Sequence, residues 1–160
     1  MINNTNHPNV SNPKVANPNI NSQSPPDLID TKIDVKVVLS GLWISMLMVF
    51  AYVDIFGFFR ADMIKGALAG KLPVVGFAID QRFLVLTTIY IVIPSLMVVV
   101  ALVAPARINR ASNIVIGALY IASIVAGMGD PWKYYVLGSA VEVVLLVAII
   151  RVSVKWPRNG

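Results

Sequence analysis

Glu142 lies in the middle of Tyr134–Ile150 (YYVLGSAVEVVLLVAII), with eight uncharged residues on each side. A carboxylate at the midpoint of a membrane-length helix costs roughly 2.5–3.5 kcal/mol on insertion scales, so an acid kept there is a candidate for holding a proton, a cation or a ligand. A second acid, Asp54, falls near the end of another apolar run. Tyr52, Tyr90 and Tyr120 place hydroxyls in the remaining runs, and Ser139 precedes Glu142 by three residues, on the same helical face.

These groups must be carried by the four apolar runs, at about 37–58, 83–104, 112–128 and 134–150. Each approaches the ~20 residues that cross a bilayer core. Helices are expected, because lipid offers no partner to a free backbone group. Asp80 can cap the second run and Ser112 or Asn113 the third, while Gly129-Asp130-Pro131 turns the chain into the fourth. At ~1.5 Å per residue, Glu142 lies about 13 Å below the boundary at Lys133, Tyr120 about 12 Å, Tyr90 about 11 Å, Tyr52 about 9 Å and Asp54 about 6 Å below the same boundary. Pro94 removes its own N–H and frees the carbonyl of Tyr90, four residues earlier, at the level of Glu142. Tyr135, Gly138, Ser139, Glu142, Leu146 and Ile149 share one face, as do Trp43, Leu47, Phe50 and Asp54. Ala118, Ala122 and Ala126 form a small-residue stripe that lets a neighbouring backbone approach.

The composition matches this architecture. The 160 residues are 57% hydrophobic and 13% charged, with a mean hydropathy of +0.74. Soluble domains run near 45–50% apolar and about 25% charged. One membrane domain over 31–160 is expected, an all-α bundle of four transmembrane helices. Residues 1–30, rich in Asn, Pro and Ser, read as a disordered tail with neither the basic start nor the apolar core of a signal peptide. With no cysteine and one histidine, His7, in that tail, disulfides, iron–sulfur clusters and thiolate zinc sites are excluded, and no metal or other cofactor is expected.

The net charge of +5 is explained by membrane topology rather than by nucleic acid. Eight Lys and Arg residues lie on the side of the two termini and five on the other, which predicts both termini in the cytoplasm. In the long connection between the first two runs, Arg60–Gly70 can form a short amphipathic helix with Met63, Ile64, Ala67 and Leu68 toward lipid. Gly66 and Gly70 in it read as turn residues.

The ordered set Leu42-Trp43, Tyr52-Val53-Asp54, Ala69-Gly70, Ile93-Pro94-Ser95-Leu96-Met97, Arg107-Ile108-Asn109-Arg110, Asn113-Ile114, Tyr134-Tyr135, Glu142-Val143 and Trp156-Pro157 resembles a family of small bacterial four-helix integral membrane proteins, a domain of unknown function. The resemblance covers Asp34–Pro157 and leaves out the tail. It implies a bacterial inner-membrane protein with four spans, and it carries over no catalytic residue.

The expected function is a multi-pass membrane protein with a polar pocket in the outer half of the bundle. Its floor is Glu142 and its walls are Asp54, Tyr52, Tyr90, Tyr120 and Ser139. It would bind a small or amphipathic ligand or a partner helix, as a homo-oligomer in the bilayer. The alternative is a small proton- or cation-coupled transporter using Glu142. An intramembrane enzyme with Asp54 and Glu142 as an acid pair is a third reading, but no nucleophile–base set or phosphate loop accompanies them, so no catalytic residue is assigned. Against all three stands a structural role: Glu142 hydrogen-bonded to Tyr90 or Tyr120 as a fastening, and Asp54 reaching water or paired with Arg60.

Overall fold

A computed structural model describes residues 31–73 and 76–156; the expected tail at 1–30 lies outside the described residues. Among the described residues five helices are formed: α1 (Val35–Gly57), α2 (Ala61–Leu68), α3 (Gln81–Val103), α4 (Ala106–Ala126) and α5 (Lys133–Val154). All but α2 are long and apolar enough to cross a membrane, at 21 to 23 residues each. The protein is therefore an all-α bundle with the four long helices of a multi-pass membrane protein. α1 and α4 each pack against both α3 and α5, so the four form a ring with α1 opposite α4. One end carries the described termini, and the other carries α2 and its loop; they are called the termini end and the loop end below.

The helix starts follow local chemistry. The Asp34 carboxylate accepts from the Lys36 N–H at 2.7 Å, and that of Asp80 accepts from Phe83 N–H at 2.8 Å. α4 differs from its apolar run. It begins at Ala106, directly after Pro105, so Ser112 and Asn113 are interior residues rather than caps. A helix beginning at the headgroup level can include Arg107 and Arg110, and Pro105 supplies its fixed φ at the boundary. The stripe of Ala118, Ala122 and Ala126 is exposed; the buried stripe of α4 is Asn109, Asn113, Gly117, Tyr120 and Ile124. Polar Asn109 and Asn113 turn inward because they have specific work there.

That work concerns two carbonyls of α3. Pro105 has no N–H to give to Ala101 O, and Asn109 Nδ2 donates to it at 2.6 Å. Pro94 likewise leaves Tyr90 O free, and the Tyr120 hydroxyl donates to it at 2.5 Å. Asn113 donates in turn to Asn109 Oδ1 at 2.6 Å and accepts from Trp43 Nε1 of α1 at 2.6 Å, across the ring. Around this network the termini half is closely packed by Leu39, Trp43, Met46, Met97, Ala101, Leu146 and Ile149.

At the loop end the short amphipathic helix forms as α2, and Gly66 and Gly70 fold the chain back on it. Lys71 N donates to Gly66 O at 2.9 Å, Gly70 adopts φ of +69°, and a Cβ at Gly66 would overlap Pro73. Arg60, only 4% exposed, fastens this end. It donates to Asp130 and to Asp62 (2.6 Å), and lies 4.5 Å from the Trp132 ring centroid. The hydrogen bonds to Asp62 push the guanidinium pKa above its ordinary value, and Arg60 holds the Asp62 carboxyl below its own. A carboxyl pKa depressed by folding adds stability at neutral pH that is lost as pH falls through the acid range.

Two outcomes are expected. Tyr120→Phe costs about 1–2 kcal/mol in a wild-type background, but little in Pro94→Ala, where α3 regains its own N–H for Tyr90 O; a double-mutant cycle read by unfolding in detergent measures the coupling. Arg60→Ala removes one partner of a buried ion pair and lowers stability by about 3 kcal/mol, and Arg60→Lys, without the planar fork, restores only part of it.

Candidate functional site

Between the four long helices, in the loop half, lies a cavity of about 220 Å³ lined by Phe50, Val53, Asp54, Tyr90, Ser123, Ile124, Tyr135, Ser139 and Glu142. Every long helix contributes. α5 supplies the floor, because its buried stripe of Gly138, Ser139, Glu142, Leu146, Ile149 and Ser153 repeats at helical spacing and faces the bundle. Glu142 is 3% exposed and Ser139 is 2% exposed. α1 brings Phe50, Val53 and the exposed Asp54; α3 brings Tyr90; α4 brings Ser123 and Ile124.

The close approach of α1 to α5 at this level depends on Gly138. A Cβ there would overlap the side chain of Val53. Glycine thus lets two acids on neighbouring helices, Asp54 and Glu142, line one space.

Of the six candidates, Glu142, Asp54, Tyr90 and Ser139 line the cavity. Tyr120 is buried beneath it, its hydroxyl committed to Tyr90 O and its ring stacked on Tyr90 at 4.7 Å between centroids. Tyr52 does not take part: it is 52% exposed and its ring neighbours Phe56. Depth placed it in the same slab, but its angular position on α1 turns it outward.

The fastening role considered for Glu142 is not what the side chains do. The Tyr90 hydroxyl is paired with Ser123 Oγ at 2.6 Å and the Tyr120 hydroxyl with a backbone carbonyl, and the Glu142 carboxyl takes no hydrogen bond among the described residues. Nor does Asp54 pair with Arg60, whose partners are Asp62 and Asp130. None of the lining residues is a Lys or Arg.

Sequence reasoning missed Phe50, Val53, Ser123, Ile124 and Tyr135 as lining. Tyr135 and Phe50 were on the correct faces by spacing, seven residues before Glu142 and four before Asp54. Ser123 had a signal too: it lies three residues after Tyr120, on the same helical face. A second, open cavity of about 520 Å³ lies along the loop end of α3, lined by Phe77, Ala78, Asp80, Arg82, Phe83, Leu86, Thr87 and Tyr90.

Fold and site together define a four-helix membrane bundle with an acidic cavity in one half. The chain belongs to a family of unknown function, DUF6326, whose model matches residues 28–160. No curated protein and no solved structure matches the chain.

Gly138→Ala is expected to destabilise the bundle by pressing on Val53, by about 1–3 kcal/mol as for other overpacked sites. Val53→Ala in the same chain should recover most of the loss, read from the unfolding midpoint in detergent.

Proposed function

We propose that this protein is a multi-pass component of a bacterial inner membrane, with both termini in the cytoplasm, that binds a small ligand in the cavity floored by Glu142. The observation that carries this reading is a glutamate 3% exposed, whose carboxyl has no hydrogen-bond partner among the described residues and borders a partly open cavity of about 220 Å³. A buried acid whose only role is to join helices satisfies itself on a neighbour. Here the hydroxyls of Tyr90 and Tyr120 are occupied elsewhere, and the space in front of the acid has room for about seven waters at ~30 Å³ each, or one small molecule.

The orientation rests on the eight-to-five excess of Lys and Arg toward the termini. It places the cavity in the outer half. The exposed alanine stripe of α4 offers a face on which copies can associate in the bilayer.

A second reading rests on the same carboxyl. An intramembrane acid that alternates between a proton and a cation is the working part of a coupled transporter. The two readings separate on one variant. Glu142→Gln retains the fold, because no hydrogen bond is lost. If the pocket binds a ligand, native mass spectrometry of the wild type shows a small bound mass that the Gln variant lacks. If the protein is a transporter, the Gln variant in proteoliposomes also loses proton-linked uptake of that molecule. An unchanged bound mass in the variant removes Glu142 from the site.

A further inference from the structure

Resting on that reading of the cavity, we infer that its ligand is a small organic ammonium ion, held by Glu142 and Asp54 and enclosed by the aromatic side chains of Phe50, Tyr90 and Tyr135. The lining carries two acids and no base, so an anion is disfavoured and a cation is attracted. The buried Glu142 is unpartnered, so its ionised form calls for a positive partner, which a cation supplies and a neutral ligand does not. A metal ion and an organic cation both carry the required charge.

The walls decide between the two. Calcium takes 6–8 oxygen ligands at short range, and magnesium a near-ideal octahedron. This cavity offers two carboxylates on neighbouring helices and the hydroxyls of Ser139 and Tyr135, with the Ser123 hydroxyl already paired to Tyr90. Much of the remaining wall is ring and aliphatic surface: Phe50, Tyr90, Tyr135, Val53 and Ile124. Aromatic rings attract alkylated ammonium groups through the negative face of the ring and through contact with the alkyl carbons. A hydrated metal ion gains neither. The Tyr90 ring is held in place by its stack on Tyr120, by Phe50 at 5.7 Å between centroids, and by Ser123, so this wall is set before a ligand arrives.

The test uses the full chain in nanodiscs and three probes: tetramethylammonium, sodium, and 3,3-dimethylbutan-1-ol as a neutral molecule with the same branched head. Binding is read by isothermal titration. Tetramethylammonium should bind and the other two should not. Glu142→Gln should abolish that binding. Tyr135→Leu should weaken it about tenfold, within the span expected for one cation–ring contact, while Tyr135→Phe keeps the ring and most of the affinity. Phe50→Leu checks the same effect from α1. Sodium or the alcohol binding as tightly as tetramethylammonium overturns the assignment, as does tetramethylammonium failing to bind, or binding both Leu variants as tightly as the wild type. The underlying pocket reading falls separately, when Glu142→Gln changes neither probe binding nor the co-purified mass.

Discussion

In a bilayer core a backbone carbonyl without a partner has no water to turn to, and this constraint organises the bundle. α3 contains one proline at Pro94 and is followed by another at Pro105, and each deprives a carbonyl four residues earlier of its donor. Both debts fall on α4, which answers with Tyr120 for Tyr90 O and Asn109 for Ala101 O. α3 and α4 pack loosely along their length compared with the other seams. They are registered instead by two long side chains reaching two defined acceptors. A pair of hydrogen bonds to fixed carbonyls sets both the rotation and the height of α4, where apolar contact alone would leave it free to slide.

The state of the cavity follows from that registry. Once Tyr120 is committed to Tyr90 O, its ring stacks on Tyr90, and Tyr90 turns its hydroxyl to Ser123. Both tyrosines that could have satisfied Glu142 are thereby occupied. The two halves of the bundle end in opposite conditions. In the termini half, Asn109, Asn113 and Trp43 form a network whose side-chain donors and acceptors are matched, set within close-packed Leu39, Met46, Met97, Leu146 and Ile149. In the loop half, the same helices enclose space and leave an acid facing it. Arg60 closes that half by tying the end of α1 to the turn before α5.

How much of this the sequence disclosed follows from which physical signals are local. The four spans were legible because bilayer thickness imposes a length and a composition on any crossing helix. The Asp80 cap and the turn glycines around α2 were legible because their chemistry lies within a few residues. The freed carbonyl at Tyr90 was also legible from Pro94, but its partner was not, since Tyr120 reaches it from 30 residues away. Angular placement was the weakest inference. Depth put Tyr52 beside Glu142, yet it faces outward. Four helices of similar hydrophobicity give little periodic contrast, because lipid-facing and bundle-facing positions are both apolar. The ring order and the paired prolines supply what periodicity lacked.

The contrast between Asn113 and Glu142 bears on why the acid is there at all. Both are polar, both are buried in the bundle, and both sit near the middle of a spanning helix. Asn113 engages three partner atoms and ties α1 to α4, so its cost of burial is offset within the protein. Glu142 engages none among the described residues, and a leucine at its position would extend the apolar stripe that Leu146 and Ile149 already form on the same face. An acid there costs roughly 2.5–3.5 kcal/mol with no hydrogen bond inside the bundle to offset it, and on the proposed function the offset comes from the ligand. The neighbouring Gly138 points the same way, since a larger residue there would separate α1 from α5 and carry Asp54 away from the space that Glu142 borders.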